Sequence, residues 1–315
     1  MSIVNTTVPI TSQANDAAII RIVETYPFCR TELLTRTDFQ RPIRTLVIGN
    51  GPRKVIYSAS HHANEWITSY VLLKFGEELA QAIASGGEIY GRNARELSAL
   101  ATIYMIPMVD PDGVDLVTGA IPQDSAQYAL AQGLANNYPS IPFPNGWKAN
   151  LAGVDLNLNY PAGWLMAREI KFSQGFTRPG PRDYVGRAPL DQPETRALAG
   201  YTQYIDPALV LAYHSQGKEI YWKYQDIEVP GARELGEAFA SASGYTLSDV
   251  PYASGFAGYK DWFIKHFRKP GYTIEVGQGE NPLPLSQFDE IYRNNLGILV
   301  LAALGEVPSG ESAAP

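Results

Sequence analysis

Apolar residues in this chain fall into short dense runs, separated by stretches in which they recur every three or four positions. The runs Lys54-Val55-Ile56-Tyr57, Leu209-Val210-Leu211-Ala212-Tyr213 and Tyr272-Thr273-Ile274-Glu275-Val276 are rich in β-branched and aromatic residues and read as buried strands. Positions 43–49 and 101–108 read as two more. Helical periodicity covers 16–25, 67–83, 230–243, 259–267 and 285–304, and Gly86-Gly87 supplies a stop for the second of these. Asp191-Gln192-Pro193-Glu194 opens another helix, with an acidic cap and an early proline. Asp110-Pro111-Asp112-Gly113 is a turn signal, and 118–150, rich in Pro, Asn, Ala and Gln, reads as an irregular wall of a cleft. Strands separated by helices predict an α/β fold: a mixed, mostly parallel twisted sheet with helices on both faces.

Chemistry enters where the strands end. His62 and Glu65 follow the strand at 55–58, His214 follows 209–213, and Glu275 interrupts the apolar run 272–276. In an open α/β sheet the carboxyl ends of the strands face one crevice, so these four side chains would meet there. A catalytic zinc takes three nitrogen or oxygen ligands and keeps a fourth position for water. His62 and Glu65, three apart, can chelate one ion from a tight turn or a first helical turn, and His214 would complete the set. A separate carboxylate, Glu275, would then take a proton from the water. Taken alone, His-x-x-Glu is a weak signal, and a buried structural histidine is the better reading of it. A glutamate inside an apolar strand is costly to bury without a partner, which weighs against a structural role for Glu275.

The runs His61-His62-Ala63-Asn64-Glu65-Trp66, Gly153-Val154-Asp155-Leu156-Asn157, Tyr213-His214-Ser215-Gln216-Gly217 and Thr273-Ile274-Glu275, in that order, resemble the zinc carboxypeptidase family. The similarity runs from about Tyr26 to the C-terminal helix. Trp147-Lys148-Ala149-Asn150 and the Ile220-Tyr221-Trp222 that follows His-Ser-Gln-Gly are most similar to the bacterial γ-D-glutamyl-L-diamino acid endopeptidases, which cut cell-wall stem peptides. The resemblance implies one zinc ion held by His62, Glu65 and His214, with Glu275 as general acid/base. It also implies that Asp155 hydrogen-bonds the far nitrogen of His62. Lys148 falls where carboxypeptidases carry an arginine that stabilises the oxyanion, and offers a point charge in place of a planar fork. Asn157 and Tyr252 match substrate-binding positions, although Tyr259 competes with Tyr252 for the second role.

Two departures bear on substrate. Ordinary members carry an arginine after the motif's asparagine, and together the two clamp a terminal carboxylate; here Leu158 follows Asn157. Asn64 likewise replaces an arginine of digestive members. Trimming of ordinary C-termini is thereby disfavoured against cleavage of an unusual peptide, with Arg168, Arg182, Arg187 and Lys218 as candidate carboxylate partners. His61 and His266 read as structural and solvated residues respectively, and Cys29, the only cysteine, as a packing residue.

Composition narrows the remaining choices. In 315 residues, 45% are hydrophobic and 18% charged, enough for a large core, and no linker interrupts the middle, so one catalytic domain over 1–308 is expected, with 309–315 a disordered tail. A net charge of −7 without a basic cluster argues against nucleic acid as a partner. No apolar stretch reaches the ~18 to 20 residues of a membrane span. No secretory signal is evident at the N-terminus, and a cytoplasmic setting is expected. The expected partner is a peptide, specifically a muropeptide or stem peptide. The alternatives are a conventional metallocarboxypeptidase, a deacylase with a similar metal triad, and a catalytically inactive binding module on this scaffold.

Overall fold

The computed structural model describes residues 2–307, so the expected tail at 309–315 lies outside the described residues. Seven strands form the principal sheet, in the spatial order Thr246–Ser248, Glu219–Tyr221, Gly271–Glu275, Leu209–His214, Arg53–Ala59, Ala101–Ile106, Leu46–Ile48. The strands from Gly271–Glu275 to Ala101–Ile106 run parallel to one another. Glu219–Tyr221 and Leu46–Ile48 join on either side as antiparallel strands, which makes the sheet mixed, as expected.

Period-two alternation explains why the central strands are apolar throughout. Val55, Tyr57, Leu209, Leu211 and Tyr213 enter one core, packed with Ile67, Phe75, Phe239, Leu299 and Leu301 of the helices Ile67–Ser85, Ala232–Ser243 and Phe288–Leu304. Ile56, Val210 and Ala212 enter a second core on the opposite face, with Leu198, Trp262 and Phe263 of Pro193–Ile205 and Tyr259–Phe267. With both faces covered by helices, neither set of positions can be polar. The helix Ile67–Ser85 ends where expected, because Gly86 takes a left-handed φ of 70° and lets Gly87 N–H reach the Ala82 carbonyl at 2.8 Å.

Several expectations need correction. The strand expected at 43–49 divides into Pro42–Arg44, paired in a separate two-stranded sheet, and Leu46–Ile48 of the principal sheet. The irregular stretch 118–150 contains the helix Ala126–Ala135, capped by Ser125, and the turn at Asp110 begins the short helix Pro111–Val117. The helices Ala94–Leu100 and Trp164–Ser173 had no clear periodic signature. Asp191 does not cap the helix Pro193–Ile205; Gln192 occupies that position, while Asp191 accepts hydrogen bonds from Asn159, Gln192 and the Arg187 amide.

Glu194, in the first turn of that helix, is buried, with the Asn150 side-chain amide 3.4 Å from its carboxylate oxygens. Burial raises its pKa from 4.5 to about 8. The folded protein therefore holds a proton there that the unfolded chain releases above about pH 4.5. This contribution to stability is fully present below pH 4.5 and is lost as pH rises through 8. Glu194→Gln is expected to match the parent near pH 5 and to exceed it by on the order of a few kcal/mol at pH 8, measured as denaturant midpoints.

Candidate active site

His62, Glu65, His214 and Glu275 reach the carboxyl ends of the parallel strands by different routes. His214 and Glu275 are the last residues of adjacent strands and pair in register. His62 and Glu65 lie beyond Arg53–Ala59 on a sharp bend. Ser60 takes a left-handed φ of 48°, held by a hydrogen bond from its amide to Thr68 Oγ1 at 3.0 Å and by Ser69 Oγ at 2.7 Å. A single 3₁₀ turn, Ala63–Glu65, then brings Glu65 round to His62. Pro111–Val117 packs against this turn, and Ala63 N–H donates to the Lys148 carbonyl at 3.1 Å.

His62 Nδ1 lies 3.0 Å from Glu65 Oε1, His214 Nδ1 lies 3.0 Å from Glu65 Oε2, and the two ring nitrogens are 3.2 Å apart. Two nitrogens bound to tetrahedral zinc at ~2.05 Å sit about 3.3 Å from each other, so the spacing fits a shared ion. Among the described residues these three are the only His/Cys/Asp/Glu group whose donor atoms are close enough to share a metal. Charge argues the same way. His62 Nε2–H donates to Asp155 Oδ1 at 3.0 Å. Although burial opposes its charge, the Glu65 and Asp155 carboxylates pull the His62 pKa up to about 9. Glu65 itself is held well below the usual carboxylate range by His62 and Lys148 despite its burial. Two carboxylates thus converge on the His62 ring in a buried pocket.

Around this centre lies a cavity of about 630 Å³. Lys148 Nζ stands 3.0 Å from Glu65 Oε1; burial disfavours its charge, but Glu65, Asp155 and Glu275 outweigh that and raise its pKa. Glu275 is half-buried at the cavity wall, and burial together with the Glu65 charge pushes it up to about 8. Asp155 receives the Asn157 amide at 3.1 Å as well as His62 Nε2, which fixes both residues. Asn157 lines the cavity and accepts the Tyr259 amide at 3.0 Å. The segment 140–146 contributes Ser140, Ile141, Pro142, Asn145 and Gly146 to the lining, in keeping with the expected cleft wall. Asn64 ties that wall to the metal turn through the Asn145 carbonyl at 3.2 Å.

Other sequence candidates are placed elsewhere. Tyr252 is 65% exposed on a turn outside the cavity lining, and Tyr259 is buried, bonded to Thr202 Oγ1 and stacked on His61. Tyr221 lines the cavity instead. Of the four cations considered for a substrate carboxylate, only Arg182 does; Arg168 lies over the Phe172 ring, Lys218 pairs with Glu290, and Arg187 is exposed. Lys171 and Lys260 line the cavity and were missed. Both are buried in ion pairs, with Asp183 and Asp261, and nothing in the local sequence sets either apart from a solvated lysine. His61 is fully buried against His214 and Tyr259, and His266 is exposed, as expected for each. Leu158 is buried.

A mixed sheet that delivers a His–Glu–His donor set and a nearby carboxylate to one cleft defines a metallohydrolase. The chain belongs to the zinc carboxypeptidase family, whose profile matches residues 16–297, and it is a metallopeptidase. It is 42% identical over 283 residues to γ-D-glutamyl-L-diamino acid endopeptidase 1 of Lysinibacillus sphaericus, covering 90% of this chain and 69% of that one. It is 37% identical over 288 residues to an uncharacterized protein of Bacillus subtilis (strain 168), covering 91% and 75%. The crystal structure of carboxypeptidase A from Helicoverpa armigera superposes with a TM-score of 0.72 at 18% identity, over 96% of this chain and 75% of that one, which shows the shared fold. Among the described residues no helix is long and apolar enough to cross a membrane.

Proposed function

We propose that this protein hydrolyses the bond between γ-D-glutamate and the L-centre of a meso-diamino acid in peptidoglycan stem peptides. The observation that carries the reading is the buried Leu158 beside Asn157, where ordinary carboxypeptidases hold a carboxylate-binding arginine. A cleft without that fork has lost its bidentate partner for a plain C-terminus. The 42% identity to the Lysinibacillus endopeptidase supports the same substrate class.

His62, Glu65 and His214 would hold zinc. When bound, zinc supplies a Lewis acid that polarises the scissile carbonyl and brings the pKa of water to about 7. Asp155 keeps the proton of His62 on Nε2, which leaves Nδ1 as a donor and fixes the ring plane. Glu275 takes a proton from the attacking water and delivers it to the leaving amine. Lys148 offers positive charge to the developing oxyanion. Asn157 and Arg182 meet polar groups of the substrate, and Tyr252 reaches it only if its turn, which adjoins the cavity-lining Pro251 and Ser254, folds inward.

The test is to incubate the zinc-loaded protein with L-Ala-γ-D-Glu-meso-diaminopimelate, with ordinary L-dipeptides and with N-acyl amino acids. Release of diaminopimelate from the first, with the others untouched, is expected. Preferential release of C-terminal L-amino acids would establish a conventional carboxypeptidase, deacylation a deacylase, and no turnover of any of them a binding module.

A further inference from the structure

We infer that Asn150 is a positioning residue: through Gln192 and Glu194 it ties the turn that links Lys148 to Asp155 to the helix Pro193–Ile205, and so fixes where both of those side chains stand. The inference rests on the roles given above to Lys148 and Asp155, whichever peptide is cut.

Asn150 is 3% exposed, and the two ends of its side chain face different ways. Oδ1 accepts the Ala152 and Val154 amides, both at 3.1 Å. The backbone closes the same turn, with Asn150 N–H on the Val154 carbonyl at 3.0 Å and Gly153 N–H on the Asn150 carbonyl at 2.9 Å. Gly153 takes a φ of 74°, and a Cβ there would lie 2.7 Å from the Gly180 nitrogen, so the turn is tight as well as closed. The amide end points out of the turn. It donates to Gln192 Oε1 at 2.9 Å and stands 3.4 Å from both Glu194 oxygens.

Loop closure accounts for Oδ1 but not for what the amide meets. Gln192 occupies the cap position of its helix without making a side-chain cap bond, and Glu194 is buried at the cost of a retained proton. The helix they open is rooted in the protein: Leu198 and Ala199 enter the core with Ile56 and Val210, and Thr195 Oγ1 donates to Asn159 Oδ1 at 2.7 Å. The backbone ties of Lys148 and Ala149 to Pro181, and of Asp155 to Tyr184, run instead to a segment that is itself irregular.

Both ends of the turn act on the metal site. Lys148 reaches Glu65 with its ammonium and holds the Ala63 amide with its carbonyl, while Asp155 Oδ1 holds His62 Nε2. A turn released from the helix therefore displaces the oxyanion charge and the His62 ring together.

The experiment uses the full chain with Gln192→Met and Glu194→Met combined, which breaks the tie and leaves the closure of the turn intact. With saturating zinc, kcat on L-Ala-γ-D-Glu-meso-diaminopimelate is expected to fall about ten- to hundredfold with KM near the parent value. Zinc affinity, read by competition with a chromophoric chelator, should fall about tenfold or more. The losses should not add to those of the residues they act through: in a Lys148→Met chain the pair of changes should cost little further kcat, and in an Asp155→Asn chain little further zinc affinity. A merely structural role adds its loss in every background. Parental kcat and zinc affinity in the double variant, or losses that add in either cycle, would overturn the inference. If the parent cuts no stem peptide, the peptidoglycan reading falls and the zinc cycle alone decides. If the double variant does not fold, Gln192→Met alone takes its place, with a smaller, equally non-additive loss expected and unchanged or additive values overturning the inference.

Discussion

Glu275→Gln is expected to keep one zinc per chain and to lose about 10³-fold or more in kcat. The glutamine keeps the size and one hydrogen-bonding oxygen of the native side chain but can neither take a proton from water nor return one to the leaving amine. Glu275 is not among the three donors that could share the metal, so metal content should not change. Its position makes the loss large. Glu275 ends its strand in register with His214, so the sheet itself sets its distance from the metal centre. Burial and the Glu65 charge hold its pKa near 8, which makes it a stronger base than an exposed carboxylate; a cation between the histidines offsets the Glu65 charge and eases its ionisation. Metal analysis beside steady-state kinetics checks the result, and turnover at the parent level would move the proton transfer to another residue.

The second large effect is expected from His214→Ala, which should remove both zinc and activity, with kcat/KM falling by about 10⁴-fold or more. His214 is 1% exposed, and its Nδ1 faces both Glu65 Oε2 and His62 Nδ1, so truncation to alanine removes one of the three converging donors outright. The same variant separates metal binding from folding. In the parent, chelation should lower the unfolding midpoint and added zinc restore it, because a ligand that binds only the folded state stabilises by about 2.7 kcal/mol at a hundredfold excess over Kd. His214→Ala should show neither response. A variant that held zinc with parental affinity would exclude His214 from the site.

Much of the site was legible because its residues stand at interruptions of a pattern. His62 and His214 follow dense apolar runs, and Glu275 breaks one; each anomaly marks the end of a buried strand, where a polar side chain is intolerable without a partner. Asp155, Asn157 and Lys148 became readable only through resemblance, since a capping aspartate or a loop lysine looks the same without its three-dimensional neighbours. Lys171 and Lys260 escaped entirely. A helix tolerates a lysine almost anywhere along its sequence, and burial of that lysine is decided by what packs over it. Tyr252 was misplaced for the complementary reason: spacing gives its position in a turn, while the exposure of that turn depends on the loops around it.

The sequence by itself determined the type and order of most principal elements, the two-sided burial of the central strands, and that His62, His214 and Glu275 stand where buried apolar runs end or are interrupted. These follow from local periodicity and from the cost of placing a charge in an apolar run. Only the tertiary structure decided that His62, Glu65 and His214 share one point, that Arg182 alone of four candidate cations reaches the cleft, and that Lys171 and Lys260 are buried in ion pairs at its wall. Those facts are distances between residues up to 152 positions apart, set by strand order and helix packing, and no local pattern encodes them.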